Sequence, residues 1–327
     1  MANSGEKINY SLRPAKSAER KMMAEYIKRI VTFEIPDEYE YIGFGSFYFA
    51  DFKLFHKVLG LKHMTSLELP DNINKEKRFN FNKPYGFINI KFNTANEYFL
   101  PLEPTKRIVW FDYDGQLKKD IIDDIKITIP KLSPRSVFIM SLNIDPLYYR
   151  YIDDTVEDSK PMTLFETLEL FMDCDIENVY GIDPNLSSLI SLRKAIYDIL
   201  YNTVEEAVKT HPLSSFDFEQ IFNFQYKDGA TMLTLGFIFY DNTLDTKDSL
   251  DKFSDKLDYV NNNKKPYMIE TPKLTLKEIH KIDKIHGECT ITNPFQFIID
   301  KYAIEHKQQK DYLKIQRFFP NYLEMET

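Results

Sequence analysis

Residues Glu40–Leu69 read EYIGFGSFYFADFKLFHKVLGLKHMTSLEL, and the order of residue types along them spells strand, glycine turn, helix, strand. Tyr39–Ile42 is aromatic and β-branched, which suits a strand running into a buried sheet. Gly43-Phe44-Gly45-Ser46 then breaks the run, and two residues without a Cβ let the chain turn sharply and a ligand approach the backbone. From Phe47 to Leu59 apolar residues return at helical spacing (Phe47, Phe49, Phe52, Leu54, Phe55, Val58, Leu59), with Gly60 as the stop. Ser46 and Phe47 are expected to open this helix and to turn its free N–H groups toward a ligand. His63–Leu67 is a second short strand, closed by Glu68. An acid at the tip of the second strand, about twenty residues past a glycine turn, is how nucleotide-binding α/β folds hold a ribose. The loop carries two glycines where the dinucleotide fingerprint has three, so a plain turn is the competing reading.

Further along, Phe87–Phe92 reads as a third strand. Ile108–Phe111, inside RIVWFDYDGQL (107–117), is the continuous apolar run of a central parallel strand. It ends in Asp112 and Asp114, beyond the carboxyl end of a strand, where open α/β sheets bind ligands. Asp112 is the stronger candidate for chemistry; Asp114 reads also as the cap of a helix over Gln116–Ile125. Ser136–Leu142 is a fifth buried strand, Tyr148–Asp158 a loop or lid, and Met162–Met172 and Leu186–Val208 are helices, the second long enough to be broken. Phe216–Tyr226 and Ala230–Tyr240 flank Asp228-Gly229, a favoured hairpin turn. Thr275 and Glu278 form a capping box for a C-terminal helix. At the other end, Pro14 sits at the first turn of a helix over Ala15–Ile30. Its charged set Arg13, Lys16, Glu19 and Arg20 reads as a solvated face, or else Arg13 and Lys16 clamp an anionic substrate group.

With 327 residues the chain is long enough for one large domain with additions or for two domains. The composition does not shift enough to cut it cleanly. The expected division is an N-terminal helical segment over 1–35, a sheet domain over 36–243 with a helical insertion at about 146–212, and a mostly helical extension over 244–327. A net charge of −8 without a basic block argues against nucleic acid as the main partner. Cys174 and Cys289 lie far apart without metal-ligand spacing, so neither a disulfide framework nor a metal site is expected. No stretch reads as a signal peptide or a membrane span, and the expected compartment is the cytoplasm.

The stretches LRPAKSAERKMM, YIGFGSFYFADFKLFHKVLG, SLE, RFNFNKP and VWFDYDGQL, in this order of elements, resemble class I S-adenosylmethionine-dependent methyltransferases. More narrowly, roughly residues 10–240 are similar to a bacterial O-methyltransferase family. The resemblance implies an α/β, Rossmann-like sheet of five parallel strands plus a C-terminal antiparallel hairpin. Helices would cover both faces, and a helical C-terminal extension would follow. It implies S-adenosyl-L-methionine as cofactor, with Gly43 and Gly45 facing its methionine part, Phe44 and Ser46 of the same turn also binding it, and Glu68 on its ribose hydroxyls. It places Asp112 in the strand-four position that faces substrate and methyl group. Two positions depart from the pattern: Tyr41 stands where an acid precedes the first glycine, and Phe47 replaces the third glycine. The cofactor's amino group then needs another partner, Asp51 or Asp112.

Methyl transfer to oxygen needs alignment of a nucleophile and a base for its proton. Asp112 and Asp114 are the candidate bases, with Lys83 a third if burial lowers its pKa. Arg13 and Lys16 would hold an anionic group of a small-molecule or nucleotide-like acceptor. Two other readings fit the same residues. One is a catalytically degenerate, methyltransferase-like binding or scaffold protein with a partner protein on its C-terminal region. The other is a nucleotide-processing or nucleotide-sensing protein using the same glycine turn and Glu68.

Overall fold

The computed structural model of the chain describes residues 13–31, 36–152, 160–243, 257–288 and 304–320. Cys289 and the end of the expected lid lie outside the described residues. The described residues begin with helix α1 (Pro14–Val31) and then alternate strand and helix. The alternating units are β1 (Glu40–Gly43), α2 (Ala50–Leu59), β2 (His63–Leu67), α3 (Ile73–Asn82), β3 (Ile88–Lys91), α4 (Ala95–Phe99), β4 (Arg107–Asp112), α5 (Lys119–Thr128) and β5 (Val137–Asn143). Three helices follow, α6 (Leu164–Met172), α7 (Ile176–Tyr180) and α8 (Leu189–Lys209), before the hairpin of β6 (Phe216–Asp228) and β7 (Ala230–Asp241). The C-terminal part adds β8 (Tyr267–Ile269), α9 (Leu276–Glu288) and α10 (His306–Ile315).

Among the described residues, eight strands form one sheet in the order β3-β2-β1-β4-β5-β7-β6-β8. β1 to β5 run parallel, and β7 enters antiparallel between β5 and β6. Five parallel strands followed by an antiparallel hairpin is the arrangement that the sequence resemblance implies. β4 shows why the sheet is buried on both sides. Ile108 and Trp110 point into a core shared with α1 and α2, while Val109 and Phe111 point into a second core shared with α5 and α8. Successive strand side chains face opposite ways, so a run without polar residues needs helices on both faces. Strand order reverses between β1, which continues to β2 and β3, and β4, which continues to β5. The crevice at the carboxyl ends of β1 and β4 is therefore the topological switch point where such sheets bind ligands.

Some boundaries differ from the sequence expectation. Ser46 and Phe47 do not open a helix: residues 46–49 form a turn, with Ser46 at φ 55° and Phe49 at φ 47°, and α2 begins only at Ala50. The aromatic run had concealed the turn, because Phe47 and Phe49 are buried like helical core residues while lying outside the helix. Helix α5 starts at Lys119 rather than Gln116, with Lys118 in an extended N-cap conformation, so Asp114 does not cap it. Helix α8 is unbroken over 21 residues because a continuous apolar face, including Leu192, Ile196, Ile199 and Leu200, is buried against the sheet. Strand β8, from the C-terminal part expected to be mostly helical, extends the sheet by pairing parallel to β6. The Thr275–Glu278 capping box forms as expected.

Candidate active site

At the switch point lies a cavity of about 490 Å³, within the range of small-molecule sites. Its floor is the glycine turn. Gly45 N–H donates to Ser66 Oγ (2.9 Å), Ser66 Oγ donates to Glu68 Oε1 (2.6 Å), and Ser46 N–H donates to the same Oε1 (3.1 Å). The turn after β1 is thus fastened to the tip of β2, and Glu68 is held in the cavity wall, 7% exposed. Burial pushes its carboxyl up to about 7, against the pull of those three hydrogen-bond donors. The glycines are needed for packing. A Cβ on Gly45 would fall 2.5 Å from the Phe49 ring and 2.7 Å from Ser66 Oγ, and one on Gly43 would fall 2.6 Å from the Tyr41 hydroxyl.

The Tyr41 hydroxyl crosses the space that Gly43 leaves empty and donates to Asp51 Oδ2, in the first turn of α2. Asp51 borders the cavity, 6% exposed, and so brings a carboxylate to the turn that follows Tyr41, the position where the pattern has an acid. Burial raises the Asp51 carboxyl, with the charge of Arg20 and the Tyr41 hydrogen bond acting the other way. Tyr41 itself is raised by burial and by the neighbouring Asp51 charge.

Asp112 and Asp114, at and beyond the end of β4, both border the cavity. Asp112 Oδ1 accepts from Lys16 Nζ at 2.7 Å. That ammonium also pairs with Glu19 at 2.8 Å, accepts no solvent contact to speak of at 3% exposure, donates to Tyr226 Oη at 2.9 Å and lies 4.6 Å from the Trp110 ring centre. Burial works against the charge of Lys16, but Asp112 and Glu19 outweigh it and its pKa is raised. Lys16 therefore holds Asp112, a lining residue, and is not itself among the residues that line the cavity. Arg13 does not line the cavity either: its guanidinium lies over the β6–β7 turn, beside Gly229 and Asp228. Lys83 is the C-cap of α3 and also falls outside the lining, to which α3 contributes Phe79. Gly43 is not among the lining residues, whereas Phe44, Gly45 and Ser46 line the cavity.

Four lining or supporting residues were not read from the sequence. Arg20 reaches the cavity from α1 and lies 5.8 Å from the Trp110 ring centre. Ser66 carries the hydrogen bonds under the glycine turn. Tyr113 donates to Asp124 at 2.8 Å, and burial pushes the Asp124 carboxyl up to about 6 against that bond. The Arg20 signal was available: Lys16, Glu19 and Arg20 share one side of α1 with Met23 and Ile27, a charged stripe continuous with an apolar one. Among the described lining residues, seven are carboxylates and Arg20 is the one cation. Such a cavity favours a ligand carrying positive charge.

The sequence matches the family described as "Putative O-methyltransferase" over residues 8–327. No curated protein matches it. Among solved structures, a complex of Trm1 from Pyrococcus horikoshii with S-adenosyl-L-methionine is similar at TM-score 0.44 and 7% identity, over 75% of this chain and 58% of that one. A putative S-adenosylmethionine-dependent methyltransferase from Listeria monocytogenes is similar at TM-score 0.36 and 9% identity, over 66% of this chain and 98% of that one. A putative transferase from Pyrococcus horikoshii is similar at TM-score 0.35 and 10% identity, over 67% of this chain and 64% of that one. The chain thus spans less than two-thirds of the length of two of these structures, and at such scores the fold rests on the strand order alone.

Proposed function

The chain belongs to the family described as "Putative O-methyltransferase", and from that premise we propose that it transfers the methyl group of S-adenosyl-L-methionine to a hydroxyl oxygen of a small molecule. One observation carries the cofactor's place: Glu68, buried at the tip of β2 and fastened under the glycine turn, faces a cavity at the switch point of the sheet. When bound, S-adenosyl-L-methionine supplies an electrophilic methyl carbon on a sulfonium. The residues present fit it. Glu68 holds the ribose hydroxyls as hydrogen-bond acceptor. Asp51, oriented by Tyr41, takes the ammonium of the amino-acid end, the role left open by Tyr41 in the strand. The excess of carboxylates around the cavity favours a sulfonium cation over a neutral thioether.

Asp112 is assigned the proton of the attacking hydroxyl. It borders the cavity at the end of β4, and Lys16 fixes it through Oδ1. Asp114, exposed and lining the same cavity, is assigned to the acceptor in this reading. Calorimetric titration with S-adenosylmethionine and S-adenosylhomocysteine tests the reading. Binding of both by the wild type, lost in Glu68→Ala without loss of fold, is the expected result. Unchanged affinity in that variant would take Glu68 out of the site.

A further inference from the structure

We infer that Arg20, on the N-terminal helix, binds the carboxylate of the cofactor's amino-acid end, so that Arg20 and Asp51 together read a zwitterion. The inference rests on the proposal that the cavity takes an S-adenosyl cofactor. Such a ligand carries one carboxylate into a cavity bordered by seven others. An anionic group is repelled everywhere along that lining except beside a cation, and among the described lining residues that cation is Arg20.

The surroundings of Arg20 suit the task. It is 7% exposed, where water screens little, and its guanidinium lies near the Trp110 ring, a cation–π contact that fixes a planar group without consuming its donors. Its charge acts on Asp51, the residue assigned to the ammonium, so the two opposite charges that a zwitterion needs are neighbours. A guanidinium carries five N–H donors in a fixed fork, enough to serve its own network and a carboxylate together. Lys16, one turn earlier on α1, cannot substitute, because Asp112, Glu19 and Tyr226 already hold its ammonium. With Glu68 on the ribose and Arg20 on the carboxylate, the ligand has one orientation across the crevice.

The test compares S-adenosylhomocysteine with 5′-methylthioadenosine, which keeps the nucleoside and lacks the amino-acid end. In Arg20→Gln the affinity for S-adenosylhomocysteine is expected to fall by about 10- to 100-fold, the usual worth of a charged hydrogen bond. Affinity for 5′-methylthioadenosine is expected to stay within about twofold, since a lost contact to an absent group costs nothing. Equal losses for both ligands, or no loss for either, would overturn the role of Arg20. A wild type that binds neither ligand would instead overturn the cofactor reading beneath it. Should Arg20→Gln fail to fold, Arg20→Lys keeps the charge and removes the fork. It is expected to show a smaller loss confined to S-adenosylhomocysteine, and a loss shared with 5′-methylthioadenosine would again refute the assignment.

Discussion

At the scale of single residues, Glu68 makes opposite demands of the empty and the occupied protein. Its carboxyl rises from an ordinary 4.5 to about 7 on burial. A raised folded pKa gives stability that is fully present below the unfolded value and lost as pH rises through the folded one. Ionising Glu68 inside the cavity therefore costs ~3 kcal/mol at alkaline pH, and the empty protein should melt higher at pH 6 than at pH 8. A ribose diol donates to the carboxylate and favours its charged form, so cofactor affinity should move the other way. It should strengthen by at most about tenfold per pH unit up to pH 7 and level off above it. Titrations across this range in wild type and Glu68→Gln decide the matter: the slope should vanish in the variant, and a slope that survives belongs to another group, Asp124 first. Gly45 makes a different prediction, about shape. A methyl group there meets Phe49 and Ser66 at 2.5 and 2.7 Å, so Gly45→Ala should destabilise by about 1–3 kcal/mol and loosen the turn that positions Glu68. A denaturant melt alongside a binding titration reads both effects.

At the scale of elements, helix α1 turns a stripe of charges into the sheet. Glu19 is wholly buried, donors reach it from Lys16 and Thr234, and Lys16 ties it to Asp112. Removing one member of a buried ionic cluster leaves the others uncompensated, so Lys16→Met should cost about 3–5 kcal/mol in a urea melt. The double variant Lys16→Met/Glu19→Gln should recover part of it, and an equal or larger loss would mean that packing of the lysine stem, not charge, is what matters. The same helix shows where the sequence stops being legible. Its length was readable from Pro14 to Ile30, because propensity and capping are local. Strands β1, β2 and β4, the Asp228-Gly229 hairpin and the Thr275 capping box were readable for the same reason: each signal lies within a few residues. The candidate site residues Glu68 and Asp112 followed from their offsets to those elements, and Asp51 from the resemblance and its departure at Tyr41. The partners of Lys16 were not readable, since Asp112 and Tyr226 lie 96 and 210 residues away. The Tyr41–Asp51 bond was missed although only ten residues separate them, because it depends on the turn at 46–49 that an aromatic run disguised as helix.

At the scale of the whole molecule, the C-terminal part is built into the structure that holds the site. Strand β8 lengthens the sheet beside β6. Arg317 pairs with Glu25 of α1 at 2.6 Å, Tyr259 donates to the same carboxylate at 2.9 Å, and Lys21 donates to the carbonyl oxygens of Phe318 and Phe319. Ile315, Phe318, Tyr259 and Ile269 are buried in the core that contains α1 and Trp110. Four such side chains are worth roughly 6–12 kcal/mol of burial, which is the size of a whole domain's net stability. A chain ending at Thr243 should therefore lose more than a decoration. α1 would be left without its outer support, and with it Arg20 and the Lys16 anchor of Asp112. The expected outcome is a protein that melts well below the full chain, is cut by protease within α1, and binds S-adenosylhomocysteine weakly or not at all. Thermal melting, limited proteolysis and calorimetry on the same preparation read these three effects. The prediction fails on one result in particular, a truncated chain that melts like the full one and keeps its affinity, because α1 would then be held by the sheet alone. Intermediate stability with intact affinity would place the support of α1 in β6 and α2 and would leave to the C-terminal part only the closing of the sheet edge.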